Sequence, residues 1–333
     1  DNKILAGGVL MYLDILEELL ENQAQLYKNA YKGDFSQVCY LETKDKEHGT
    51  YDKNYTNRLR LSYFLLYKHI NNEDIVKRLF EEELKDRETN SFQGIGSALE
   101  ILTFLLMKYN REGTYDSLFE RAKTANFDCA CGYTPNVEIS SELEDCDIYD
   151  GISIAIDMGC MESARKLVKL WKEDVACWDK RNYERLIYFN KDIKREEENE
   201  EPLKALAEIA RAKGKNSDVI STLRSLLHYY IQFNKKEQAY DCFQQLIREG
   251  DLTEIYHIRL FEYILEDCME LICEYKEKAE ELWKWARPFI IERAGNMFGN
   301  LYKKSILAAE TVNDDFSGEL NYQYQEWKKR VGI

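Results

Sequence analysis

Gly159-Cys-Met-Glu-Ser-Ala-Arg-Lys-Leu-Val-Lys-Leu170 and Asn234-Lys-Lys-Glu-Gln-Ala-Tyr-Asp-Cys-Phe-Gln-Gln-Leu-Ile247 decide the fold. Each opens on a turn residue and runs into a helix-period pattern with a small residue early, Ala164 or Ala239, and a larger apolar one four positions on, Val168 or Phe243. Four residues is one helical turn, so both members of each pair share a face.

The same arrangement recurs. Val76 and Phe80 follow the turn Ile70-Asn71-Asn72-Glu73, Tyr115 and Phe119 follow Tyr109-Asn110-Arg111-Glu112, and Ala279 and Trp283 follow a less sharply marked turn near Leu271. The first members lie 39, 49, 75 and 40 residues apart. A gap of 75 reads as two units, with Tyr183–Phe189 and Leu203–Ala210 supplying the intervening pair, and 49 reads as one unit lengthened by a loop at 127–146.

This pattern resembles the tetratricopeptide-repeat superfamily over about residues 55–290. In that family a small residue early in the second helix lets two helices of a hairpin approach, and a larger one fills the gap to the next hairpin. The chain departs from it twelve positions before the small residue, where the family carries Gly or Ala and this sequence has Phe64, Thr103, Ile152, Leu227 and Asp267. The family's closing proline is also missing. The resemblance implies an all-α fold, an α-α superhelix of stacked antiparallel hairpins, whose first helices line a concave protein-binding face.

Working outward, the helical pairs fall at 55–70 with 73–86, 94–109 with 114–125, 147–158 with 161–173, 180–190 with 200–213, 217–233 with 236–248, and 252–270 with 273–287. Pro202 sits in a first helical turn, and Ser217-Asp218 is placed to cap the helix after it. Leu5, Val9, Tyr12, Leu16, Leu19, Gln23, Leu26 and Ala30 make the stripe of one long helix over 4–31. Residues 33–54 lose the period and read as a solvated loop, and no run of period two is long enough for a strand. Three divisions follow: 1–54, a long helix plus loop packing on the array; 55–290, the hairpins; and 291–333, a capping helix near 293–311 and a tail.

Composition agrees. Only three prolines occur in 333 residues, which leaves barrels and sandwiches without their turn chemistry. Acidic residues outnumber basic ones by 61 to 46, a formal charge of −15 that repels phosphate backbones, and the clusters Lys303-Lys304 and Lys328-Lys329-Arg330 are too short to reverse it. Nucleic acid is therefore not an expected partner of this chain. No apolar run reaches the roughly 18 residues of a membrane span, so no membrane association is expected. Nine cysteines, an odd number with six of them in apolar helical patterns, place the protein in a reducing cytoplasm.

Chemistry has few anchors. Cys129, Cys131, Cys146 and Cys160 could offer four thiolates to zinc, but a single residue separates the first two where structural chelates use two to four, and thiols tucked against helix faces are the simpler reading. Glu142, Glu144, Asp145, Asp147 and Asp150 lack the register and central glycine of a calcium loop. They suit solvent or a basic partner. His48, His69, His228 and His257 stand apart from any catalytic motif, and no phosphate loop or nucleophile elbow is present. Neither a cofactor nor a metal is expected.

The partner-binding candidates are accordingly side chains on the first helices, Tyr63, Tyr67, Arg224, Tyr229, Gln232, Asn234, Tyr256 and Arg259, together with the acids Glu142, Glu144, Asp145 and Asp147. Filling the space between hairpins is the competing role for every tyrosine among them. The leading expectation is a non-enzymatic scaffold or regulator binding a protein or extended peptide. One version is a peptide-responsive regulator whose DNA-binding segment precedes Asp1. The alternatives are an immunity-type protein that covers a basic toxin with an acidic surface, and a helical-toroid enzyme with two carboxylates facing across a cavity.

Overall fold

The computed structural model describes residues 2–46, 49–89 and 94–332, with the side chains of 2–10 excepted. Most described residues are helical, as the periodicity requires, and they form two compact units, Asp1–Ala176 and Cys177–Ile333.

The N-terminal unit begins with α1 (Asn2–Glu21) and α2 (Ala24–Tyr31). The single helix expected over 4–31 is thus broken, because Asn22 and Gln23 form a turn in which the Gln23 side chain caps backward onto Leu19 O at 3.0 Å. Of the expected stripe, Leu16 and Leu19 are buried, whereas the side chains of Leu5 and Val9 lie outside the described set. Next comes a correction to the loop reading. Strands β1 (Glu42–Asp45) and β2 (Gly49–Asp52) pair antiparallel, Glu42 opposite Asp52 and Asp45 opposite Gly49. Glu47 and His48, between them, lie outside the described residues.

Helices α3 (Tyr55–Tyr67), α4 (Glu73–Thr89), α5 (Ser97–Met107), α6 (Asp116–Thr124), the short α7 (Phe127–Gly132), α8 (Ile148–Asp157) and α9 (Met161–Asp174) complete this unit. Helix α7 had no counterpart in the sequence reading. It is only six residues long and owes its start to Asn126, whose side chain accepts from Cys129 N at 2.8 Å. Helix α3 packs on both α4 and α5, while α1 lies against α3, α8 and α9, with the Tyr12 hydroxyl donating to Cys146 O at 2.9 Å.

The polar centre of this unit explains the hairpin. Arg58, fully buried, donates through Nη2 to Asp52 and through Nε to Glu83, both at 2.6 Å, and through Nη1 to Val38 O at 3.2 Å. Asp52 also accepts from Leu41 N and Asn54 N, and Asn54 donates to Ser36 O and Cys39 O. An isolated two-stranded hairpin is marginal in water. Here its base is tied to α3 and α4 by side chains that must be satisfied once buried.

The C-terminal unit contains α10 (Lys180–Asp192), α11 (Glu200–Lys213), α12 (Asn216–Gln232), α13 (Lys236–Glu249), α14 (Arg259–Glu274), α15 (Ala279–Arg293), α16 (Gly299–Thr311) and α17 (Phe316–Val331). Each helix packs on its successor, and α14 touches α12 and α16 as well. The expected tail is largely helical: α17 buries Leu320 and sets Trp327 against Tyr302. Ser217-Asp218 falls inside the first turn of α12 rather than capping it, since Lys215 holds the cap position.

The paired residues found in the sequence, 76 and 80, 115 and 119, 164 and 168, 239 and 243, 279 and 283, are all buried. The turns repeat as well. Helices α3, α8, α10, α12 and α16 end with His69, Gly159, Lys194, Asn234 or Asn313 in the left-handed region. In each case that residue's N–H donates three residues back and the next N–H five residues back, as in Asn234 N to Ile231 O at 2.9 Å and Lys235 N to Tyr230 O at 2.8 Å. This closure reverses the chain within three residues and satisfies helix-terminal carbonyls.

Candidate functional site

On α12, Arg224 and His228 are four residues apart and therefore share a face. Both reach Asp267 on α14: Arg224 Nε at 2.7 Å, Nη2 at 3.4 Å, and His228 Nδ1 at 3.0 Å. The Asp267 side chain is 1% exposed, so desolvation makes its two partners necessary rather than optional. Arg224 lies 5.2 Å from the centre of the Tyr263 ring, which fixes its plane further.

Arg224 and His228 border a cavity of about 620 Å³ between α10 and α12. Its wall includes Lys180 and Lys191 from α10, the hydroxyls of Ser221 and Ser225, Tyr229 and Gln232. Ser225 Oγ donates to Ser221 O at 3.0 Å, so its hydroxyl is engaged with its own helix rather than aligned as a nucleophile. Next along the same set of helices, Lys304 on α16 bridges to Glu266 at 3.1 Å and Glu270 at 2.5 Å on α14. Polar bridges therefore link α12 to α14 and α14 to α16.

Arg224, Tyr229 and Gln232, singled out from the sequence, meet at this cavity. Tyr229 is mostly buried, with its hydroxyl donating to Glu197 O at 2.8 Å and its ring 4.7 Å from that of Phe233. Asn234 is the left-handed turn residue after α12. Arg259 stacks on Phe298 at 4.0 Å, while Tyr256 sits under the Arg293 guanidinium at 4.0 Å. The sequence assigned neither Asp267 nor His228 to the site. The signal for Asp267 was present: it is a carboxylate where the tetratricopeptide resemblance would place Gly or Ala.

In the N-terminal unit a smaller cavity of about 310 Å³ brings Tyr63, Tyr67 and Asp145 together with Glu100 and Asp150. Tyr63 and Tyr67 stack with centroids 6.1 Å apart, Tyr63 donates to Asp157 at 3.1 Å, and Tyr67 OH lies 3.3 Å from Cys146 Sγ. Burial first, then the neighbouring carboxylate or thiol, drives both phenols far above their ordinary range. They act as neutral hydrogen-bonding groups. Asp147 is occupied as the cap of α8, accepting from Tyr149 N and Asp150 N, and Glu142 faces His69 Nε2 at 3.5 Å. Glu144 is exposed.

Among the described residues no three His, Cys, Asp or Glu side chains group as metal ligands, and all nine cysteines are free. Cys129 is buried whereas Cys131, two residues on, is exposed. No described helix is long and apolar enough to cross a membrane. No family model, curated protein or solved structure matches the chain.

Proposed function

We propose that this protein is a cytoplasmic, non-enzymatic helical-repeat scaffold of tetratricopeptide-like type, whose stacked hairpins bind an extended peptide or protein segment along their first helices. The observation that carries this reading is the cavity between α10 and α12. It is large enough for side chains of a ligand, and its polar wall is held in place by buried Asp267. Pre-set donors lose little freedom on binding, so contacts made there are not consumed by ordering costs.

The test is selection of displayed random peptides on the full-length chain, followed by titration of the enriched sequences. Ser225 is exposed on the cavity wall, so Ser225→Trp fills the space without disturbing Asp267. An affinity loss of roughly tenfold or more, about 1.4 kcal/mol, supports the reading. Peptides that bind the variant equally well, or no enrichment at all, overturn it.

The neutralising alternative draws on one specific observation: among the described residues the 310 Å³ cavity is lined by Glu100, Asp145 and Asp150 and by no lysine or arginine. A basic partner bound there would be recovered from native cells at low salt and released as screening shortens the reach of charge.

A further inference from the structure

Asp267 fixes which atoms its two partners turn toward the cavity. It receives the Arg224 Nε–H at 2.7 Å, and a carboxylate only accepts, so His228 Nδ1, 3.0 Å away, must carry a proton. That placement leaves Nε2 of the neutral ring as a bare acceptor. Arg224 is the reverse case, a group with donors alone. Its Nε and Nη2 are spent on Asp267, while Nη1 has no hydrogen-bond partner among the described residues, and neither has His228 Nε2.

The two groups are neighbours in space. Arg224 Nη2 and His228 Nδ1 rest on the same atom, Asp267 Oδ1, at 3.4 and 3.0 Å, so fork and ring sit side by side. Both side chains line the cavity, 25% and 48% exposed. Nearby hydroxyls do not compete, because those of Ser225 and Thr222 donate back into α12 and that of Tyr229 to Glu197 O. The wall thus offers a donor beside an acceptor.

Charge does not choose the ligand here. Lys180, Lys191 and Arg224 on the lining are matched by Glu184, Glu196 and Asp218, with Glu184 3.7 Å from Lys180 and Asp267 beneath Arg224. Hydrogen-bond pattern is what remains to discriminate. A carboxylate brings no proton for Nε2, and an ammonium brings no acceptor for Arg224. A trans peptide unit points its C=O and N–H in opposite directions, so backbone satisfies one group at a time. A primary carboxamide carries C=O and N–H on one edge, the property by which Asn and Gln read an adjacent donor and acceptor on a base.

We infer, on the footing of the peptide-binding reading of this same cavity, that it recognises an Asn or Gln side chain of the bound peptide. The carboxamide oxygen accepts from Arg224 Nη1 and its N–H donates to His228 Nε2, while Ile187 and Leu206 on the lining supply apolar surface for the methylene stem.

The experiment uses the full chain at pH 8 and peptides selected by display whose binding Ser225→Trp blocks. These should share an Asn or Gln at one position. Replacing that Gln by Met, which keeps its length, or by Glu, which keeps its shape, should weaken binding roughly tenfold or more, since donor and acceptor are then left unpaired. His228→Phe keeps a ring and removes the acceptor, so it should erase most of the difference between the Gln and Met peptides, with thermal unfolding as the check on its fold. Cavity-blocked peptides with no common Asn or Gln, or Gln-to-Met and Gln-to-Glu exchanges that each change affinity less than threefold, overturn the carboxamide assignment and leave the scaffold reading standing. If Ser225→Trp blocks no peptide at all, both fall together.

Discussion

Replacing Arg58 with methionine keeps roughly the side chain's length and removes its charge from a fully buried position of the N-terminal unit. The lost contacts are Asp52 and Glu83 at 2.6 Å each and Val38 O at 3.2 Å, leaving Glu83 with Arg87 and Asp52 with the backbone donors Leu41 N and Asn54 N. Deleting one partner of a buried ion pair costs about 3–5 kcal/mol, because the remaining charge stays desolvated. The cost falls on the attachment of residues 34–54, which meet α3 through Arg58 on Asp52 and Val38 O and through Asn57 on Gln37 O, and α4 through Tyr40 N on Glu82. Native-state trypsin cleavage at Lys44, Lys46 and Lys53 reads that attachment directly. Opening should become roughly 10²–10³-fold more frequent, as each 1.4 kcal/mol is a factor of ten. Arg60→Met is the control on the same helix, where one hydrogen bond to Met158 O at 2.7 Å and one to Asn57 are lost. Less than a tenfold increase for Arg58→Met, or equal effects at both positions, would refute the claim that this cluster pins the hairpin.

Three further outcomes are expected. Asp314 accepts from Arg287 at 2.6 Å and from Trp283 and Phe316 N, and the Arg287 hydrogen bond above all depresses its carboxyl to about 2 from 3.8. Its contribution is therefore present above pH 3.8 and lost as pH falls toward 2. Asp314→Asn should cost about 1 kcal/mol at pH 7, modest because Arg287 is 43% exposed, and nothing near pH 2, as urea unfolding will show. Lys194→Gly should stabilise by roughly 0.5–1 kcal/mol in the same assay, since Lys194 sits at φ 57° where a Cβ is strained. Gly250→Ala should destabilise by about 1–3 kcal/mol, its methyl meeting Ile220 Cγ1 at 2.6 Å and Leu246 O at 2.9 Å.

How far the sequence led depends on the length scale of each interaction. Helix pairs such as 217–233 with 236–248 were legible because the burial period, the turn residue Asn234 and the Ala239/Phe243 pair all lie within some thirty residues. The break at Asn22-Gln23 was not, since Gln23 sits on the apolar stripe and helix period alone carries no sign of a turn. The hairpin was invisible for a different reason. Glu42-Thr-Lys-Asp45 and Gly49-Thr-Tyr-Asp52 have no apolar alternation, and their order comes from Arg58, Glu82 and Asn54, reached only through the fold. A polar strand held by a buried charge leaves no periodic trace.

The same distinction governs the candidate site. Arg224 and His228 declare a shared face by their spacing, but nothing local names Asp267, 39 residues beyond His228, as their common acceptor. Asp267 stands where the tetratricopeptide resemblance would place Gly or Ala, so a polar residue at such a position is the visible half of a side-chain bridge. Thr103 follows the same rule in the N-terminal unit. It occupies the equivalent position, is fully buried, and its hydroxyl meets Tyr133 OH at 3.1 Å while donating to Leu99 O at 2.6 Å. Thr103 and Asp267 are therefore places where buried side-chain hydrogen bonding ties separate segments together, and in the C-terminal unit the Asp267 carboxylate is what orients Arg224 and His228 at the cavity wall.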